Sequence, residues 1–472
     1  MLNLGNNREE KWLIWGTIGV FIFAIGLRFW GLGRFNEFVF DEVYYAKFAN
    51  NYLINKQFYN AHPPLSQYII AVGIWIGDKL PIGHDTANTL TGSLRSTFSY
   101  RWINAVFGSL IPPVVAALAY QLTRRWSYVF LAALFISLDG LFLVDSRYAL
   151  NNVFLIFFGI TGQLCVLLAT NYRGYRQWWY LLGAGFLFGS SIACKWNGLW
   201  FLLGMGMLLA IAHIMRLINS PDRGASTLAN PSANTSSNLL DRLSKIHPLA
   251  IISTLVILPI IVYSLWWIPH LIQNPEPNFW GMQVSILNYH EKVGNGKAIH
   301  PYCADWYTWL LMMRPLAYYY KADEARNIYY DIHAIGNPLL WWLAFGSVLT
   351  SIWLIIKQLL LAHRRQINFI AIAIPLYIVV NYAANLLPWV RVNRCVFIYH
   401  YMGAILFAIM GLAWLVDRWL YSNSKLWQGI GLTVVFGIIF SFVFWLPIYL
   451  GLPLDRTGLG LRLWHFWIFN WV

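Results

Sequence analysis

The sequence predicts an all-α polytopic membrane protein, on three observations. Of 472 residues, 58% are hydrophobic and only 11% are charged, whereas soluble domains carry about 25% charged residues. So little charge cannot build a water-facing surface, but lipid solvates the outside of a helical bundle without it. The apolar residues also fall in runs long enough to cross a bilayer, which takes about 20 residues. Finally, the net charge of +14 forms no dense basic block. It lies between the apolar runs, which points to membrane orientation and away from nucleic acid.

Eleven runs qualify as spans: 12–30, 102–120, 128–144, 150–170, 178–194, 199–216, 248–270, 338–356, 368–387, 396–416 and 428–450. The stretch 66–80, SQYIIAVGIWIGDKL, is short for a span and reads as an interfacial helix. The segment after Lys11 has no small-residue cleavage site and reads as a retained span. Eleven spans put the termini on opposite sides. A cytoplasmic N-terminus places Arg124-Arg125, Arg173, Arg176, Arg364-Arg365, Arg418 and Lys425 inside, as the positive-inside rule requires. The long loops 31–101 and 271–337 then face outward. The stretch 219–245, rich in Ser, Asn and Pro, faces inward and reads as a flexible linker. Its Asn234-Thr235-Ser236 looks like a glycosylation acceptor in the wrong compartment. With no soluble domain, internal repeat or glycine-rich nucleotide loop, residues 1–472 read as one membrane domain. Cys165, Cys194, Cys303 and Cys395 show no CxxC or metal-ligand spacing and read as packing residues.

The chemistry concentrates at the outer face. Phe40 to Tyr68 reads FDEVYYAKFANNYLINKQFYNAHPPLSQY. Asp41 and Glu42 follow the first span by about ten residues. They are either a solvated acid pair or, because charge near membrane depth is costly, a functional one. Helix neighbours point about 100° apart, so one carboxylate would act as a base and the other would orient or bind. Five cations lie at outer ends of spans: Arg101, Arg147, Lys195, Arg391 and Arg394. Each alone could snorkel to the interface. Together, facing an acid pair, they call for an anionic partner, and a phosphate anchored by a lipid tail fits. A sugar carried on an isoprenoid phosphate has a weakly basic leaving group. It needs cations for the developing charge and a base for the acceptor hydroxyl, but no strong acid.

The prolines after His62 fix the chain direction there, so His62 is either a turn residue or a substrate contact. His290, His300 and His333 have no compact ligand spacing and read as loop packing rather than a metal site. Asp305 and Trp306 either line an acceptor groove or join an interfacial aromatic belt. Glu276 and Asp331 read as solvated charges, and Tyr318-Tyr319-Tyr320 as interfacial packing.

The stretch FDEVYYAKFANNYL…HPPL closely resembles the first-loop signature of the protein O-mannosyltransferases. In order follow YRWINAVFGSL (100–110), LDGLFLVDSRYALNN (138–152), CKWNGL (194–199), HPYCADWYTWLLMMRP (300–315), GNPLLWW (336–342) and FIYHY (397–401). The resemblance spans nearly the whole chain. It implies a GT-C fold with its site at the extracytoplasmic membrane surface. It also implies inverting transfer of mannose from a polyprenyl or dolichyl phosphate to Ser or Thr of secreted or membrane proteins, without a metal or other cofactor. Asp41 matches the catalytic aspartate and Glu42 its neighbour. Arg101 matches an arginine important for activity. Lys195 matches a lysine assigned here to donor phosphate, joined by Arg391, Arg394 and Arg147. His62, Asp305, Trp306 and His400 are the implied substrate contacts. Eukaryotic members dimerise, so an oligomer is an implied partner state beside donor, acceptor protein and bilayer.

Two departures stand out. The family's SR motif usually ends in an aspartate five residues on, where this chain has Asn152. The loop 271–337 is too short for the β-trefoil MIR domain of eukaryotic members, which points to a bacterial-type enzyme of the plasma membrane. Two alternatives stay open. One is transfer of another lipid-linked sugar such as aminoarabinose to lipid A or a glycan; that family generally has Lys before its Pro-Pro. The other is a transporter or flippase for lipid-linked sugars.

Overall fold

The computed structural model describes residues 8–218, 238–296, 298–362 and 369–472. The first half runs α1 (Arg8–Phe29), α2 (Glu42–Leu53), α3 (Leu65–Gly77), hairpin β1 (Ala87–Leu90) and β2 (Ser93–Ser96), α4 (Thr97–Thr123), α5 (Trp126–Ser137), α6 (Gly140–Asp145), α7 (Asn152–Ala169), α8 (Tyr175–Cys194) and α9 (Leu199–Ile218). Next come α10 (Leu239–Leu243), α11 (Pro248–Ile251) and α12 (Leu258–Gln273), the last two joined through a π-helical turn at Ile252–Ile257 into one rod. The second outer loop holds α13 (Phe279–Lys292), α14 (Trp306–Trp309) and hairpin β3 (Leu316–Asp323) and β4 (Ile328–Ala334). Then follow α15 (Pro338–Ala362), α16 (Phe369–Leu386), α17 (Met402–Leu420), α18 (Lys425–Leu450), α19 (Arg456–Gly460) and the small hairpin β5 (His465–Phe466) and β6 (Phe469–Asn470).

Among the described residues nine helices are long and apolar enough to cross a membrane, so the chain is a multi-pass membrane protein. Each of the eleven expected runs contains helix, but run 128–144 is interrupted. Asp139 leaves the helical path and caps a new turn, its Oδ1 accepting from the Phe142 amide at 3.0 Å. Its Oδ2 accepts from Trp341 Nε1 at 2.5 Å. A buried carboxylate with these partners is satisfied, and an aspartate before an apolar run favours a helix start over helix continuation. Helix α17 is the axis of the bundle: its apolar window is buried throughout, and it packs on α5, α15, α16 and α18.

The two long loops fold onto each other at one end. Phe58 N donates to Asn274 Oδ1 at 2.7 Å, and Gln273 Nε2 donates to the Lys56 carbonyl at 2.7 Å. Three expectations fail here. Cys303 and Cys395 are not packing residues; they form a disulfide across 92 residues, which ties the second outer loop to the segment before α17. Only Cys165 and Cys194 are free. Asp331 is not solvated: it is 2% exposed and pairs with His333 beside it. The stretch 219–245 is not linker throughout, because Asn238 caps the short helix α10. Residues 219–237, with Asn234-Thr235-Ser236, and Arg364-Arg365 lie outside the described residues.

Candidate active site

Phe40 enters the site with a left-handed backbone, φ 53°. Two contacts to the second outer loop hold it there. Its amide donates to the Tyr318 carbonyl at 3.1 Å, and its ring stacks on Tyr318 with centroids 4.6 Å apart. Helix α2 then starts at Glu42, which is fully buried. The Glu42 carboxylate accepts from Arg101 Nε at 2.8 Å and Nη2 at 2.7 Å, a bidentate pair. It also accepts from the amides of Val39 at 3.0 Å and Ala149 at 3.1 Å. Arg101 spends its other N–H groups on the carbonyls of Leu32, Phe35 and Glu37. Glu42 thus locks the turn to α4 and to the segment before α7. Asp41, about 100° round the helix, has the opposite fate: among the described residues its carboxylate has no hydrogen-bond or ion-pair partner.

The charged wall opposite comes from three elements. Lys195 lies between α8 and the turn leading to α9; its Nζ donates to Asn152 Oδ1 at 3.2 Å and lies 4.9 Å from the Tyr399 ring centroid. Asn152 opens α7 and donates to Asp145 Oδ1 at 3.2 Å. Asp145 closes α6, and its Oδ1 also accepts from Tyr318 OH at 2.9 Å. The other oxygen, Oδ2, is buried without a partner. Burial pushes the Asp41 carboxyl up to about 6; Lys195 opposes that rise and Asp145 adds to it. Burial, with help from Arg394, brings the Lys195 ammonium down to about 7 against the pull of Asp41 and Asp145. Asp41 and Lys195, 154 positions apart in the sequence, therefore share one electrostatic cluster.

Lys195 also lines a cavity of about 380 Å³ with His62, Trp196, His290, Trp389 and Arg394. The imidazoles of His62 and His290 lie 5.3 Å apart. Burial, then Lys195, holds His62 well below its ordinary range, and burial brings His290 to about 4. Both are neutral near pH 7 and offer hydrogen bonds rather than charge. Leu199 and Trp200 are shared with an adjoining cavity of about 450 Å³ between α9 and the α11–α12 rod. That second space is lined by Leu202, Leu203, Ile251 and Val256 among other apolar side chains. The pair of cavities is a cationic, aromatic chamber opening onto an apolar track. Among the described residues no group of three His, Cys, Asp or Glu side chains is placed to hold a metal ion.

Residues 18–273 match the family model described as dolichyl-phosphate-mannose-protein mannosyltransferase, and residues 276–467 match the C-terminal four-span region of protein O-mannosyltransferase. The chain belongs to this mannosyltransferase family. It is 24% identical to the polyprenol-phosphate-mannose–protein mannosyltransferase of Mycolicibacterium smegmatis, over 97% of this chain and 93% of that protein. Its fold matches the Saccharomyces cerevisiae protein O-mannosyltransferase Pmt1-Pmt2 complex bound to the sugar donor, at TM-score 0.76 and 13% identity, covering 98% of this chain and 93% of that one. The Archaeoglobus fulgidus oligosaccharyltransferase matches at TM-score 0.53 and 13% identity, over 93% of this chain and 56% of that one. The fold is therefore GT-C-like.

Within this family member the expected site residues divide. His62, Lys195 and Arg394 line one cavity, and Asp41, outside that lining, joins them through its electrostatic interaction with Lys195. Arg101 does not face the cavity: fully buried, with its donors spent on Glu42 and three carbonyls, it has none left for a phosphate. Glu42 is likewise a positioning residue, since its carboxylate is enclosed by Arg101 and two amides. Arg147 is 2% exposed and donates to the carbonyls of Leu27 and Arg28, so it fastens α1 rather than contacting donor. Arg391 is exposed outside the cavity lining. Asp305 is exposed and accepts from Tyr307 OH at 3.1 Å, and Trp306 packs beside Tyr307; neither lines the cavity. His400 is buried against Trp309 and Trp389, its Nδ1 engaged with the Phe397 backbone. Residues the sequence reading passed over are Asp145, Tyr399, Tyr318, expected to pack at the interface, and His290, expected to pack in a loop.

The Arg101–Glu42 pair yields a direct prediction. Arg101→Met leaves a buried carboxylate without its counter-charge, which costs about 3–5 kcal/mol. Thermal unfolding of the purified variant should show a large drop in Tm, while any folded fraction keeps its donor KM. A raised donor KM at unchanged Tm would return Arg101 to the phosphate site.

Proposed function

We propose that the chain transfers mannose from a polyprenyl-phosphate-mannose donor to Ser or Thr hydroxyls of secreted or membrane proteins, with inversion, at the extracytoplasmic face of a bacterial plasma membrane. The observation that carries this reading is the Asp41 carboxylate, without a partner among the described residues, interacting with Lys195, which lines a cationic chamber that continues into an apolar track. The acceptor hydroxyl attacks the anomeric carbon, the bond from that carbon to the phosphate oxygen breaks, and Asp41 takes the hydroxyl proton. Lys195 and Arg394 hold the departing phosphate. The isoprenoid chain runs along Leu199, Trp200 and the apolar cavity beyond. Neutral His62 and His290 offer hydrogen bonds to sugar or acceptor. Asp145 and Asn152 position Lys195. The chemistry uses no cofactor, since proton transfer and phosphate departure are both served by side chains.

The disulfide supports the orientation. Disulfides persist where thiols are kept oxidised, outside the cytoplasm, and Cys303–Cys395 lies at the end of the bundle that carries Asp41. That favours a cytoplasmic N-terminus and an outward site. The candidate site's charges lie at one end of the bundle instead of at a midplane, which disfavours alternating-access transport. His62 stands where aminoarabinose transferases generally have Lys, which disfavours that sugar.

Proteoliposomes supplied with polyprenyl-phosphate-mannose and a Ser/Thr-containing peptide should give mannosylated peptide. Donor movement across the bilayer without glycosyl transfer, or transfer only from a different lipid-linked sugar, would overturn the reading.

A further inference from the structure

The far end of the bundle carries a second chamber of opposite design. Helix α4 runs from the candidate site, at Arg101, to Thr123, about 33 Å along its axis at 1.5 Å per residue. Beyond it lies a cavity of about 780 Å³ whose lining includes Arg124, Arg125, Arg242 and Arg418 against, among the described residues, a single carboxylate, Asp417. Asp417 is already engaged, by Arg125 Nε at 2.8 Å and by Ser127 Oγ. Arg124 and Arg242 have no carboxylate among the described residues. Both instead aim at one amide oxygen, Asn171 Oδ1, at 2.9 and 3.3 Å. Arg124 also donates to Gln121 Oε1 at 2.8 Å, and Arg242 to the Gln121 carbonyl at 2.9 Å and Thr170 Oγ1 at 3.5 Å. Two guanidiniums converging on one neutral acceptor repel each other. Burial and Arg124 together hold the Arg242 guanidinium below its ordinary range. An anion between them would offset the repulsion and favour the charged form of both guanidiniums.

The space beside this chamber says what kind of anion. A second cavity, about 740 Å³, shares Gln121, Arg124 and Asn171 with the first. Its other walls are mostly apolar, including Phe21 and Val20 of α1, Pro113 and Ala117 of α4, and Val129 of α5. A guanidinium pair at the mouth of an apolar slot between helices is complementary to an amphiphile with a phosphate head. We propose that the two adjoining cavities form a binding site for an anionic glycerophospholipid, its phosphate held by Arg124 and Arg242 and an acyl chain lying between α1, α4 and α5. Zwitterionic lipids bring a cationic group into a chamber already rich in arginine, so they bind less well. A soluble phosphate compound has the head without the chain and forgoes the apolar slot.

Native mass spectrometry of the full chain in detergent tests this, with phosphatidylglycerol and phosphatidylcholine of identical acyl chains and with glycerol phosphate as the soluble arm. Phosphatidylglycerol should be retained over phosphatidylcholine by about thirtyfold, given roughly 1 kcal/mol for each of the two basic residues at an anionic headgroup. Arg124→Gln with Arg242→Gln should erase that preference. Ala117→Phe, which fills the apolar slot and leaves the arginines intact, should weaken phosphatidylglycerol binding on its own. Glycerol phosphate should not compete. Equal retention of the two lipids, a preference that survives the double arginine variant, undiminished phosphatidylglycerol binding in Ala117→Phe, or full competition by glycerol phosphate would each overturn the site. Should the double arginine variant fail to fold, Ala117→Phe decides the question.

Discussion

Asp41→Asn is expected to lower mannosyl-transfer turnover by about a hundredfold to ten-thousandfold, the range carried by a positioned general base. The donor KM should rise only as far as the lost pull of Asp41 on Lys195 lowers that ammonium's pKa, because the proposed phosphate contacts are Lys195 and Arg394 rather than Asp41. The substitution keeps the side chain's shape and breaks nothing inside the protein, since the Asp41 carboxylate has no internal partner among the described residues. Its carboxyl is raised by folding to about 6. The sign of that shift fixes two further outcomes. A carboxyl whose pKa rises on folding costs stability above its unfolded value near 4, a cost that grows until pH passes about 6 and then stays level. Removing the charge removes the cost, so at pH 7 the variant should unfold no earlier than the parent. Second, the parent's rate should fall as pH drops through about 6, because protonation of Asp41 removes the base. The residual rate of Asp41→Asn should lack that acid limb. Steady-state kinetics from pH 5 to pH 8 and a thermal melt measure all of this; parental turnover in the variant would remove Asp41 as the base.

The same residue shows how far the sequence could be read. A chain with 11% charge marks each charged residue as costly, so Asp41, Lys195 and Arg394 could be picked out, and the opposite aims of Asp41 and Glu42 follow from helix geometry alone. What charge does not disclose is where a side chain ends up. Arg101 and Lys195 look alike at the ends of spans, yet Arg101 is consumed by Glu42 and three carbonyls while Lys195 keeps a face to the cavity. Asp145 was invisible for another reason. It belongs to α6 and Asn152 to α7, so no helical periodicity relates them, and only tertiary folding brings the carboxylate against the amide. Cys303 and Cys395 fail the same way, because a separation of 92 residues carries no pairing signal. The interrupted run 128–144 was missed because Asp139 satisfies its carboxylate through Trp341, a partner from far along the chain.

Lys195→Ala is expected to lower kcat/KM for the donor by about a hundredfold to a thousandfold, the scale of removing one group that holds developing charge. Its pH dependence separates a phosphate contact from a packing role. Lys195 is brought down to about 7, so in the free enzyme the cation is present below about 7 and fades above it. With Asp41 needed ionised above about 6, kcat/KM should follow a narrow bell whose limbs belong to the coupled cluster. Bound phosphate favours the charged ammonium, so the alkaline limb of kcat should lie higher than that of kcat/KM. The groups facing Lys195 are Asp41, Asp145, Asn152, Tyr399, Arg394, His62, His290 and His400. Of these, Asp145 is the buried counter-charge reached through Asn152. Asp145→Asn should therefore move the alkaline limb of kcat/KM to lower pH and raise donor KM. Asp145→Asn combined with Asn152→Asp puts the carboxylate directly against the Lys195 Nζ, which Asn152 already contacts at 3.2 Å, and should move the limb back up. A structural role for Asp145 would lower Tm in both variants and leave the limb in place. A limb that ignores Lys195→Ala as well would separate the cation from the phosphate altogether.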